Sequence, residues 1–289
     1  TGPGGAAPLA ANAYLGAWGI VAALESGADV VVTGRVTDAS LVVGPAAHHF
    51  GWGPGDLDAL AGAVAAGHVV ECGTQATGGN FAGFTALPPG TDLTRPGFPI
   101  AEVYADGSSV ITKHPGTGGA VTVDTVTAQL LYEIGGARYA GPDVTTRFDT
   151  ATLTPEGPDR VRLSGTVGEP PPPTHKVGVN AMGGYRNEVV FVLTGLDIEA
   201  KAELVQRQMA AAGYGPTTPG APTPDVADAV QVRWTLARTD HPDAASEQEA
   251  SALLHCVVRS TDADAVGRRF SNAAIELALA SYPGFHVTA

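Results

Sequence analysis

The chain has 289 residues and a formal net charge of -13, from 16 Lys and Arg against 29 Asp and Glu. That balance argues against sequence-independent nucleic-acid binding, which rests on neutralising phosphates with basic side chains. Hydrophobic residues make up 44%, as in a packed globular protein. No run of about 18 apolar residues offers a bilayer span.

Residues 1–8 are rich in Gly and Pro and read as a flexible lead. From Ala11 to Ser26 the pattern is helical, with Tyr14, Trp18 and Val21 on one face and Gly27 as its stop. Val30, Val31 and Val32 form a β-branched run of the kind buried in parallel sheets. Asp38 stands where an N-cap is expected, ahead of a helix over Ala39 to Phe50. A second helix follows Asp56, with its end at Gly67 or a few residues beyond. Ile100 to Tyr104 and Val110 to Thr112 read as strands around Ala105-Asp106-Gly107, and Val126 to Ile134 as a helix.

Beyond Pro142 the character changes. Arg160 to Thr166, His175 to Met182 and Glu188 to Thr194 are strand-like, and Leu196 to Ala212 is helical. After a loop at Gly213 to Pro224 come strands at Val230 to Arg238 and Leu253 to Ser260, then a helix from Asp262 to Ala280. The expected class is α/β: a parallel-type sheet with flanking helices over residues 1–145, followed by a smaller α+β lobe over 146–289.

Cys72 and Cys256 are the only cysteines. Their separation does not suggest a disulfide framework, and no charged-then-apolar leader is present, so a reducing cytoplasm is expected. No metal-ligand spacing, nucleophile elbow or phosphate loop ending in Gly-Lys-Ser/Thr occurs, and the residues name no cofactor.

Three clusters carry candidate chemistry. Ligands of open α/β sheets bind beyond the strand ends, where Thr33, Arg35, Asp38 and Ser40 would lie. The plainer alternative is that Arg35 and Asp38 pair to hold the turn. Glu71 and Cys72, with Gln75 and Thr77 close by, offer a proton-transfer carboxylate and a thiol. A cysteine in such company is more commonly a small buried hydrophobe. Gly116, Thr117, Gly118 and Gly119 present successive backbone N–H groups that can form an anion nest, with Lys113 adding charge, or simply a Gly-rich turn. The expectation is that Arg35, Asp38, Glu71, Gln75, Thr77, Lys113 and Thr117 converge on one cleft.

The runs Gly27-Ala28-Asp29-Val30-Val31-Val32-Thr33-Gly34-Arg35, Glu71-Cys72-Gly73-x-Gln75-x-Thr77-Gly78-Gly79 and Thr112-Lys113-x-Pro115-Gly116-Thr117-Gly118-Gly119 resemble the acyclic terpene utilisation (AtuA) family. The resemblance covers roughly residues 11–195. It implies an enzyme of acyclic terpenoid or branched-acid catabolism acting on a carboxylate or CoA thioester by lyase- or hydratase-type acid-base chemistry. On the clusters read above, the residues expected to bind substrate are Thr33, Arg35, Ser40, Gln75, Thr77, Lys113, Gly116, Thr117, Gly118 and Gly119, and those expected to be catalytic are Glu71, Asp38 and Cys72. The resemblance also implies a further α/β segment before the part that begins here, hence a homo-oligomer or a partner polypeptide supplying it. The alternative is a non-catalytic subunit that binds and stabilises a partner enzyme.

Overall fold

The computed structural model describes residues 7–217 and 230–288. The first six residues of the expected lead, and residues 218–224 of the expected loop, lie outside this set.

Strand β1 (Pro8–Ala13) forms a two-stranded sheet with β9 (Val177–Ala181), so Ala11 to Ala13 of the expected helix are strand, and Tyr14 to Ala17 connect that strand to the helix. Helix α1 starts only at Trp18 and ends at Glu25. The break comes at Gly16, whose hydrogen side faces the Asp143 carboxylate: a Cβ there would stand 2.0 Å from Oδ1. Helix α2 (Ser40–Phe50) has Ala39 at its N-cap, so Asp38 is not the cap the sequence suggested.

Helix α3 (Leu57–Val70) is the centre of this part of the molecule, and it runs through Gly67 rather than stopping there. Its ten residues from Leu60 to Val69 are all buried. Ala and Gly fill most of these positions, which lets neighbouring backbone approach on every side. Gly67 is one instance, since a Cβ there would lie 2.7 Å from Ala39 Cα. Helix α3 packs on α2 and on strands of two sheets.

Those sheets are antiparallel. One has the order β2 (Pro99–Val103), β3 (Ser109–Lys113), β7 (Arg160–Ser164), β6 (Thr152–Gly157). The other has the order β4 (Arg138–Ala140), β5 (Thr145–Arg147), β8 (Val167–Glu169). Helix α4 (Val123–Leu130) closes the layer, started by a capping box between Thr122 and Thr125.

The expected parallel-type sheet is therefore not found. Residues 104–108 join β2 to β3, and Pro158 and Asp159 join β6 to β7. Such connections make hairpins, whereas parallel neighbours need a crossover of a dozen residues or more. Val30 to Val32 joins no sheet: Val30 is 80% exposed and Val32 91%. The expected buried strand is thus absent: β-branched composition alone does not bury a segment, which needs neighbouring strands that this one does not have among the described residues.

Contacts divide the chain into Ala10–Asn180 and a second unit from Ala181, which also takes the chain up to Leu9. The expected division at 145/146 falls inside β5, which pairs with β4 and β8. In the second unit β10 (Tyr185–Leu193), α5 (Ile198–Ala211), β11 (Gln231–Ala237), β12 (Ala252–Ser260), α6 (Ala263–Val266), α7 (Arg268–Ile275) and β13 (His286–Thr288) follow in turn. The sheet order β11-β12-β10-β13, all antiparallel, is the split βαββαβ arrangement of ferredoxin-like units. Its helices cover one face, where Val189, Phe191 and Leu193 alternate inward from β10 against Val205, Met209 and Phe270. Cys256 is part of that core, as expected, and burial pushes its thiol up to about 12.

Candidate functional site

A cleft of about 680 Å³ opens in the unit built on α3. Its walls come from six separate stretches: Tyr14 after β1, Arg35 and Asp38 before α2, His68 and Glu71 at the end of α3, Glu133 after α4, Tyr139 to Val144 on β4 and the turn that follows it, and His175 with Lys176 before β9.

One side of the cleft is cationic. The Arg35 guanidinium lies 5.0 Å from the centroid of the Tyr14 ring, and Lys176 Nζ lies 4.8 Å from it. Electron-rich ring faces attract both. Arg35 Nη1 is 3.5 Å from Asp38 Oδ1, a loose pair between exposed groups that is worth little by itself. The turn-holding alternative for these two residues is thus present, and it leaves the guanidinium fork unsaturated.

The other side is carboxylic and aromatic. Glu71 follows His68 by one turn, so the two share a face of α3. Glu133 lines the same wall. His68 is only 5% exposed, packed against the rings of Tyr139 and Phe148, with centroids 5.5 and 5.4 Å away. Its Nε2 is covered and has no hydrogen-bond partner. Burial lowers the imidazole pKa, against the raising effects of Glu71 and the backbone carbonyls of Tyr132, Gln129 and Leu130. A neutral ring results, with a lone pair to offer.

Asp143 is 5% exposed, and both its oxygens accept the Ala17 N–H, at 3.0 and 2.9 Å. It thereby holds the start of α1 against the hairpin between β4 and β5. Burial raises its carboxyl pKa, although the Ala17 bond and nearby His175 pull the other way.

The remaining expected residues lie elsewhere. Lys113 and Gly116 to Gly119 line a different cleft of about 660 Å³. Lys113 Nζ donates to Thr117 O at 2.8 Å and pairs with Asp159 Oδ2 at 3.0 Å, so its charge is already engaged. Thr117 Oγ1 donates to His114 O. A Cβ on Gly118 would meet Asp92 O at 2.4 Å, so this glycine serves close backbone packing. Gln75 lines a third, smaller hollow and accepts from Asn80 Nδ2 at 3.4 Å. Thr77 is fully buried, with Oγ1 2.7 Å from Gly97 O and 2.9 Å from Thr74 O. Ser40 is also buried, its Oγ 2.7 Å from Thr37 Oγ1, and Thr33 is exposed. The seven residues expected in one cleft are therefore divided: Arg35, Asp38 and Glu71 share the cleft beside α3, Lys113 and Thr117 share another, Gln75 lines a third and Thr77 is buried in packing.

Cys72 Sγ donates to Glu71 Oε1 at 3.1 Å. Burial, then that carboxylate, pushes the thiol up, which is the reverse of what a thiolate nucleophile needs. Nearby, hydrogen bonding to Glu133 drives the Tyr132 hydroxyl up to about 12.

Sequence reasoning missed Tyr14, His68, Asp143 and Lys176. A signal existed for His68, three residues before Glu71 on one helix. The others are joined to the cleft only by the fold.

A family model described as acyclic terpene utilisation family protein AtuA matches residues 3–289. No curated protein and no solved structure matches the chain.

Proposed function

The chain belongs to the acyclic terpene utilisation family AtuA, and on that premise we propose that the cleft beside α3 binds a branched carboxylate or its CoA thioester and performs acid-base chemistry on it. Arg35 grips the anionic group through its planar fork, and Glu71 or Asp38 moves a proton. The observation that supports this most is the meeting of the Arg35–Asp38 turn with Glu71 at the end of α3, in one cleft of about 680 Å³ whose cationic side carries no close carboxylate partner for Lys176 among the described residues. A lyase or hydratase reaction fits such a set, since it requires proton movement beside a held carboxylate.

The test uses a panel of branched acyl-CoA thioesters and the parent acids. Arg35→Lys should weaken substrate use by roughly 1–3 kcal/mol, because the charge stays and the fork goes. Glu71→Gln should lower turnover with little change in binding. Full activity in both variants sinks the reading.

A second reading, a subunit that binds a partner polypeptide, draws on Val30 and Val32. They are exposed on the run Asp29 to Gly34, which belongs to no sheet and makes no backbone–backbone hydrogen bond among the described residues. A run of that kind accepts an added strand. Native mass analysis showing a second polypeptide at fixed stoichiometry would favour it.

A further inference from the structure

We infer that His68 is the specificity-determining residue of the cleft, and that the ligand it selects is a branched hydroxy carboxylate, free or as its thioester, whose hydroxyl donates to the imidazole. The inference rests on the carboxylate-binding reading above and adds the second point of attachment.

His68 is held at 5% exposure, yet one ring nitrogen has no partner. An unmet buried polar atom is costly, and native structures keep few of them. Nothing in the packing requires a histidine: the ring lies between Tyr139 and Phe148, where phenylalanine would stack equally well. What phenylalanine lacks is an acceptor. The residue also lines the cleft that holds Arg35 and Lys176. An anion at the cationic side and a hydrogen-bond donor at His68 are together satisfied by a hydroxy acid. Burial keeps the imidazole neutral, and a neutral ring offers a lone pair where an imidazolium has none. The groups facing it from neighbouring elements are Glu71 on its own helix, Tyr139 on β4, Glu133 after α4, and the α4-end carbonyls. Carbonyls and carboxylates can take only the ring's N–H, so none of them supplies a donor to the imidazole lone pair. Uncovering the nitrogen takes rotation about the Cβ–Cγ bond, a broad torsion for an aromatic ring.

The experiment measures binding of 3-hydroxy-3-methylbutanoate and of 3-methylbutanoate, which lacks only the hydroxyl, by calorimetry at neutral pH. The wild-type protein should bind the hydroxy acid about tenfold more tightly. In His68→Phe the ratio should fall to near one while affinity for the deoxy acid persists. The ratio is internal to each protein, so a loss of stability does not imitate it. If His68→Phe does not fold, ¹⁵N-histidine spectra of the wild type give the second readout: the hydroxy acid should shift the His68 ring nitrogens and the deoxy acid should not. Equal affinity for both acids, or a preference that survives in His68→Phe, overturns the role of His68 and leaves the carboxylate reading standing. Binding of neither acid overturns both.

Discussion

Replacing Asp143 tests how the cleft is tied to α1. Its two oxygens share the Ala17 N–H at 3.0 and 2.9 Å, in a site 5% exposed. Asp143→Ala leaves that donor buried and unmet, at a cost of about 1–3 kcal/mol. It also removes a negative charge from the start of a helix, a further ~0.3–1 kcal/mol. Against these stands the relief of a buried carboxylate, which pulls the net toward about 1–2 kcal/mol. For a unit of this size each kcal/mol moves Tm by roughly 2–4 °C, so a fall of about 2–8 °C is expected by calorimetry at pH 7. Asp143→Asn keeps an acceptor and sheds the charge, so it should fall less. The pH dependence has a definite sign. Burial raises the folded pKa above the unfolded one, so the native state binds the proton first as pH falls. Wild type therefore gains relative to Asp143→Ala between the raised value and the ordinary aspartate range, and the gap widens in acid. An Asp143→Ala protein as stable as wild type at pH 7, with a gap that does not change down to acid pH, would refute the reasoning.

Lys113→Ala should cost about 1–3 kcal/mol, because it strips the buried ammonium from Thr117 O and Asp159 while water partly compensates the exposed side of Asp159. Urea titration should show a lower midpoint with an unchanged slope, and an unchanged midpoint would mean the lysine is not structural. Alkylation of Cys72 by iodoacetamide at pH 7 should be slower than that of free cysteine, and Glu71→Gln should speed it by removing the neighbouring charge. A Cys72 that reacts faster than the free amino acid contradicts this.

Much of the secondary structure was legible because its causes are local. The β2 and β3 hairpin, α5 and the β12 strand follow from apolar spacing and turn residues within each segment. The parallel sheet was misjudged because Val30 to Val32 looks the same whether or not strands lie beside it. Side-chain caps misled for a related reason. Asp56 stands at the N-cap of α3, but its carboxylate accepts from Gly53 N at 2.6 Å and makes no cap bond. In the site, Arg35, Asp38 and Glu71 were found as polar groups at turns and helix ends. Lys113 and the glycines after it resemble an anion nest in sequence, and only the positions of Asp92, Arg95 and Asp159 reveal that their groups are already taken. Tyr14 and Lys176 meet across most of the unit's length in sequence, so no local pattern could pair them.

Helix α3 has a consequence for variation. A helix on a protein surface tolerates change along a wet stripe that returns every three or four residues. From Leu60 to Val69 there is no such stripe, since each residue is enclosed. Saturation mutagenesis across this helix should give an unbroken block of intolerant positions, and Ala or Gly should be preferred at the points of closest approach. That block ends at His68 and Glu71, where the helix reaches the cleft. Cleft wall and packing therefore meet on one rod, and such a scan should find its tolerant positions in the loops around it.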